Sequence, residues 1–224
     1  MKLVLVGTGY VGLVSGSCFA EFGYEVICVD KDEFRISELK KGKCPFFEPG
    51  IEELLSKHRD QTKLLSFTTS LSEAMEGADI IFITVGTPSK RLEGEADLSA
   101  VWNVAKDIAK NIKKYILVVT KSTVPVGTTQ EIKKIISKIV PKENFDVVSN
   151  PEFLREGSAI NDFRDPPIYI YGSVLQNEDI YCISKNVYGD ISVQIIPTTI
   201  FDAASFVGGS PGRIMRYISI KAVS

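Results

Sequence analysis

The chain has 224 residues, 44% of them hydrophobic, 24% charged and 9% aromatic, a globular composition that excludes disordered, collagen-like and coiled-coil chains. Twenty-six Lys and Arg stand against 28 Asp and Glu, a net charge of −2, so no nucleic-acid partner is expected. The longest apolar runs, Ile80 to Ile83 and Tyr115 to Val119, fall far short of the ~20 residues that span a bilayer. The N-terminal run Leu3 to Val6 lacks a signal-peptide core, and a cytoplasmic protein without a membrane partner is expected. Cys18, Cys28, Cys44 and Cys182 form no CxxC pair and only His58 accompanies them, so no metal site is predicted.

From the N-terminus, short β-branched runs alternate with segments of helical period, the pattern of βαβ units around a parallel sheet. Strands are predicted at Lys2–Val6, Glu25–Val29, Leu64–Thr68, Asp79–Val85, Tyr115–Lys121, Phe145–Ser149 and Ile168–Tyr171, with a weaker one at Ser192–Ile196. Several are apolar throughout, as a sheet covered on both faces requires. Val11, Val14, Cys18 and Phe22 mark the apolar face of a first helix. Leu98, Val101, Ala105, Ile108 and Ile112 mark another, as do Ile132, Ile135, Ile136 and Ile139. His58, in the polar stretch Ser56 to Asp60, reads as a solvated residue at a helix end. The predicted fold class is α/β, a doubly wound, mostly parallel Rossmann-type sheet with helices on both faces. After Asp202 the chain carries no acidic residue and a breaker cluster, Gly208 to Gly212. Residues 1–200 are therefore expected to form one dinucleotide-binding domain and 201–224 an atypical tail.

Gly7-Thr8-Gly9-Tyr10-Val11-Gly12 follows a predicted strand and opens a predicted helix, the context that a dinucleotide fingerprint needs. Gly7 allows the tight turn, Gly9 lets the backbone approach a pyrophosphate, and Gly12 permits close helix–strand packing. Asp30 ends the second strand, where a carboxylate can accept from ribose hydroxyls, which favours NAD. Lys31 and Arg35 lie beside it and could line either a ribose or a 2′-phosphate. Val85-Gly86-Thr87-Pro88 and Lys121 to Gly127 each follow an apolar strand. Their Thr87 and Thr123 should face the cofactor, although ordinary turn chemistry would also place them there. Asn150-Pro151 reads as a helix start that sets Glu152 and Glu156 on one face. Spacing alone leaves those carboxylates open between a catalytic role and a helix-dipole role.

Together with Phe47-Glu48-Pro49-Gly50, Ala96-Asp97-Leu98-Ser99 and Asn150 to Gly157, these motifs resemble the nucleotide-sugar 6-dehydrogenases over roughly the first 200 residues, and most of all their UDP-glucose branch. The resemblance implies oxidation of a sugar C6 alcohol to a carboxylate in two NAD-dependent steps, UDP-glucose giving UDP-glucuronate for polysaccharide biosynthesis. It implies that Gly7, Gly9, Tyr10, Val11, Gly12, Asp30, Arg35, Thr87, Thr123 and Glu156 contact NAD. Thr123 would help to hold a catalytic water and Glu152 would act as general base through it. Glu152, Phe153, Leu154, Arg155 and Glu156 would meet the nucleotide sugar. The family's long helix with a catalytic Lys and Asn, and its later Cys loop, have no counterpart among these 224 residues. The chain is therefore expected to be the NAD-binding half, unable alone to hold an aldehyde as a thiohemiacetal. A homodimer, or pairing with a separate C-terminal half, is the expected assembly. Two other readings are a non-catalytic dinucleotide-binding module and a fragment of a GDP-mannose dehydrogenase.

Overall fold

The computed structural model describes residues 1–89 and 96–165, together with the backbone of 172–173, 179–185 and 191–197. Strands β1 (Lys2–Val6), β2 (Glu25–Val29), β3 (Leu65–Thr68), β4 (Ile80–Ile83), β5 (Ile116–Thr120) and β6 (Phe145–Ser149) lie parallel in the order β3-β2-β1-β4-β5-β6. A two-residue strand, β7 (Gly172–Ser173), closes the β6 edge in antiparallel sense. This is the doubly wound order with the reversal between β1 and β4. The predicted strand at 168–171 lies outside the described residues, as does the tail at 201–224. The weaker prediction at Ser192–Ile196 falls within β9 (Ile191–Pro197), which pairs antiparallel with β8 (Asp179–Lys185).

Alternation along the strands divides the core between the two faces. Leu3, Leu5, Ile80, Phe82 and Val119 join one cluster with α1 (Tyr10–Glu21), α2 (Glu33–Lys40), α3 (Ile51–Ser56) and α7 (Ala159–Arg164). Val4, Val6, Ile81, Ile83 and Val118 join the other with α4 (Leu71–Met75), α5 (Ser99–Asn111) and α6 (Thr128–Ser137). Because both faces are covered, β4 is buried at every position, which explains its unbroken apolar sequence. Caps set helix starts locally: Asp32 accepts from Arg35 N–H at 2.9 Å to open α2, and Ser70 accepts from Glu73 N–H at 3.3 Å to open α4.

The structure corrects three helix readings. Helix α1 is buried from Gly12 through Ala20 rather than along one stripe, because the sheet, α3 and α7 enclose it. On α6 the buried isoleucines are Ile132 and Ile136, whereas Ile139 lies past the helix end and is exposed. His58 is not solvated: it is 2% exposed inside a π-helical turn, Lys57–Gln61, with Nδ1 3.1 Å from Thr62 Oγ1. Burial pushes its pKa below the ordinary histidine value.

Candidate functional site

The strand order reverses between β1 and β4, and at such a switch point the crevice outside the carboxyl ends of the strands is where a doubly wound sheet takes its ligand. Each glycine of the first loop has a distinct geometric reason. Gly7 sits at φ +113° with Thr84 O 2.8 Å from where a Cβ would stand, a left-handed position that suits only glycine. At Gly12 a Cβ would stand 1.9 Å from Gly7 O. At Gly9 nothing lies within 4 Å, so that side of the loop is open to the cleft. Gly9 is also the N-cap of α1, with no side-chain cap and no acidic residue in the first turn, so the helix start suits an anionic group such as a pyrophosphate.

Three loops are knitted along this edge. Thr84 Oγ1 reaches Val6 O and Gly7 O at 2.9 Å each. Ser122 Oγ donates to Val85 O at 2.7 Å, and Thr87 Oγ1 donates to Thr123 O at 2.8 Å. The Thr87 side chain is thereby tied to the Thr123 backbone, with Thr123 exposed and Thr87 half-buried. At the far end of the fingerprint, Asp30 Oδ2 accepts from Thr8 N–H and Thr8 Oγ1 at 2.8 Å each and from Arg35 Nη1 at 3.4 Å. Its Oδ1 accepts from Asp32 N–H at 3.1 Å. Burial would raise the Asp30 pKa, but the Thr8 and Asp32 hydrogen bonds and the Arg35 charge outweigh it and hold the group below the usual carboxylate value. An ionised carboxylate at the β2 end, with Oδ2 already taken by three donors and one lone-pair site open on Oδ1, suits a ribose hydroxyl. Val11 is half-buried on the first turn of α1.

Residues 150–158 are not the helix that Asn150-Pro151 suggests; α7 begins only at Ala159. Two local acceptors take the amides that a helix would use. Glu152 Oε2 accepts from Leu154 N–H at 2.6 Å, and Asp162 Oδ2 accepts from Arg155 N–H at 2.9 Å. Such short-range bonds compete with helix formation. Glu152 and Glu156 therefore do not share a helical face; Glu152 is half-buried and Glu156 exposed. Leu154 packs toward the core and Phe153 is 38% exposed. Arg155 clamps the buried Asp162 through Nε at 3.0 Å and Nη2 at 2.7 Å.

Three residues of this site escaped sequence reading. Lys121 is buried directly after β5, with Nζ 3.2 Å from Asn150 Oδ1 and 5.5 Å from the Phe163 ring centroid. Burial lowers its pKa to about 8 against the opposing pull of the Glu152 charge. A lysine two residues past the apolar run Ile116 to Val119 was the available signal. Glu48 is a buried carboxylate whose partners lie in other segments, and Asp162 one whose partner Arg155 is seven residues away; no spacing rule marks them. Cys18 and Cys28 are sealed in the core, and Cys44 packs against it.

Residues 1–192 match the family model described as the NAD binding domain of the UDP-glucose/GDP-mannose dehydrogenase family. The chain belongs to this family. As a family member it is 53% identical over 172 residues to a UDP-glucose 6-dehydrogenase of Rhizobium meliloti, which covers 77% of this chain and 39% of that protein. It is 49% identical over 174 residues to UDP-glucose 6-dehydrogenase TuaD of Bacillus subtilis, covering 77% of this chain and 37% of TuaD. Among solved structures, GDP-mannose dehydrogenase of Pseudomonas aeruginosa superposes with a TM-score of 0.74 at 39% identity, covering 78% of this chain and 41% of that one. UDP-glucose dehydrogenase of Pyrobaculum islandicum gives 0.73 at 38% identity, with 78% and 41% covered. This family member thus spans about two-fifths of the length of these relatives. Among its described residues no helix is long and apolar enough to cross a membrane, and no cluster of three metal-ligating side chains occurs.

Proposed function

We propose that this chain is the cofactor half of a nucleotide-sugar 6-dehydrogenase that acts on UDP-glucose, with residues 1–200 as its NAD domain. The observation that carries this reading is the knitted rim, where Thr84, Thr87 and Ser122 bind the fingerprint, β4 and β5 loops into one wall. In this reading the Gly7, Gly9 and Gly12 turn and the start of α1, with Tyr10 and Val11, cradle the pyrophosphate. Asp30 and Arg35 hold the adenosine ribose, and Thr87, Thr123 and Glu156 line the nicotinamide end. Bound NAD supplies a hydride acceptor. The exposed Thr123 hydroxyl orients a water, and Glu152, with Oε2 fixed by Leu154 N–H, takes up the C6 hydroxyl proton through that water at Oε1. Segment 153–156 lies against the nucleotide sugar. Oxidation to the acid needs a thiol, and neither Cys18 nor Cys28, both core residues, supplies one to the cleft. Assembly as a homodimer or with a C-terminal half belongs to the same proposal.

UDP-glucose is preferred because relatives bearing that substrate's name reach 53% and 49% identity; the solved GDP-mannose and UDP-glucose dehydrogenases stand level at 39% and 38%. Calorimetric titration with NAD, then with UDP-glucose or GDP-mannose, while absorbance reports NADH, tests the reading. Saturable NAD binding and preferential binding of UDP-glucose are expected, with no steady NADH release. Absence of NAD binding refutes the assignment, and preference for GDP-mannose moves the substrate to the other branch.

A further inference from the structure

Tyr10 is the first residue of α1 and so belongs to the fingerprint loop, yet its hydroxyl is engaged by residues outside that loop. It donates to Glu48 Oε2 at 2.5 Å and lies 3.4 Å from Arg155 O, while its ring rests on Phe46 with centroids 4.9 Å apart. Glu48, only 3% exposed, also accepts from Gly157 N–H at 2.7 Å through Oε2 and from Ala159 N–H at 2.8 Å through Oε1. One buried carboxylate therefore ties the first turn of α1 to a segment more than a hundred residues away. Burial opposes ionisation of Glu48, but the Tyr10 and backbone donors prevail and hold its pKa below the ordinary value. Burial and the Glu48 carboxylate push the Tyr10 phenol well above its own. The link is thus O–H···O⁻, the stronger class of hydrogen bond. Asp162 anchors the start of the same segment at Arg155 N–H, but that clamp closes within the segment. The Glu48 link runs on to the fingerprint loop, beside the longer contact of Tyr10 with Arg155 O.

We propose that Glu48, reached through the Tyr10 hydroxyl, is a positioning residue that couples the cofactor loop to the nucleotide-sugar loop. Fixing residues 7–12 fixes Tyr10, which fixes Glu48, which orders Gly157 and Ala159. Coupling between sites is reciprocal, so a nucleotide sugar on this segment tightens NAD to the same degree. The idea rests on the proposed NAD and nucleotide-sugar roles, and the test separates the two. It requires neither turnover nor a bound sugar.

Hydrogen exchange at the Gly157 and Ala159 amides is measured on the full chain with and without saturating NAD, with Val147 in β6 as the reference amide. NAD affinity is measured in parallel by calorimetry. In the wild type, NAD slows exchange at both amides by about five-fold or more, within the usual range of coupling between sites. In Glu48→Ala, which removes the acceptor for Tyr10, Gly157 N–H and Ala159 N–H, NAD still binds but exchange changes less than about two-fold. Glu48→Gln serves by the same criterion if Glu48→Ala does not fold. Bound NAD that leaves the wild-type amides unchanged overturns the coupling, and equal slowing in the variant overturns the route through Tyr10 and Glu48. A wild type that binds no NAD overturns the functional assignment itself, and the coupling with it.

Discussion

Replacing Gly12 and Gly9 separately by alanine gives a paired experiment, because one alanine collides with the protein and the other only with a ligand. The Gly12 Cβ would stand 1.9 Å from Gly7 O and 2.8 Å from Thr84 Oγ1. An ordinary carbon–oxygen contact is about 3.3 Å, so α1 and the loop must separate by about 1.4 Å. Overpacking of this kind costs about 1–3 kcal/mol. The shift also strains the Thr84 bonds to Val6 O and Gly7 O, for about 1 kcal/mol more. At about 2–4 °C per kcal/mol for a chain of this size, Gly12→Ala should lower Tm by roughly 4–16 °C. Gly9 adopts φ −74° and ψ −169°, an extended conformation open to any residue, and its Cβ meets nothing. Gly9→Ala should therefore leave Tm within about 2 °C yet weaken NAD at least about ten-fold, if the pyrophosphate occupies that space. Thermal unfolding followed by circular dichroism, with calorimetric NAD titration, reads both quantities. An unchanged Tm for Gly12→Ala, or undiminished NAD affinity for Gly9→Ala, would falsify this account of the loop.

Thr87→Val removes the 2.8 Å bond to Thr123 O at constant shape; NAD affinity should fall by about 2- to 10-fold, and equal affinities by titration would contradict a role for the rim. Asp30 has a folded pKa below its ordinary value, so the unfolded chain takes up this proton first as pH falls. Its contribution is full above the ordinary carboxylate value and is lost as pH drops through the folded one. Urea midpoints should therefore decline less steeply below pH 5 in Asp30→Asn than in the wild type, and parallel curves would refute the linkage. Lys121 behaves oppositely in range: with a folded pKa near 8 against 10.5, the unfolded chain binds the extra proton between these values. Stability from this group thus rises with pH in that window, by roughly 1–2 kcal/mol between pH 8 and 9.5. Lys121→Met should abolish the rise, and its persistence in urea titrations would show that another group is responsible.

Most of the sheet was legible in the sequence because its strands are short, apolar and separated by helical periods. Strands β1, β2 and β6 begin and end at the predicted residues, and β3 to β5 are shorter by one to three residues in all. The fingerprint was legible for the same local reason, since turn, strand and helix stand side by side. The segment 150–158 misled because Asn-Pro favours a helix start locally, while Asp162 and Glu48 claim the Arg155, Gly157 and Ala159 amides instead. His58 misled through its neighbours: Lys57, Arg59 and Asp60 are polar, yet the π-helical turn directs the imidazole inward. Lys121 and Glu48 acquire their meaning from partners 29 to 111 residues away, which no local period encodes.

Val4 and Leu5 are chain neighbours but belong to different hydrophobic clusters, as do Ile81 and Phe82. The sheet therefore acts as a partition between two interiors that share a backbone and few side-chain contacts. Substitutions on opposite sides should combine almost independently, so one side can be repacked over generations while the other is left as it was. The cleft is where that independence ends. Its wall is built from loops that leave strands common to both interiors, and a change in either is felt at the rim.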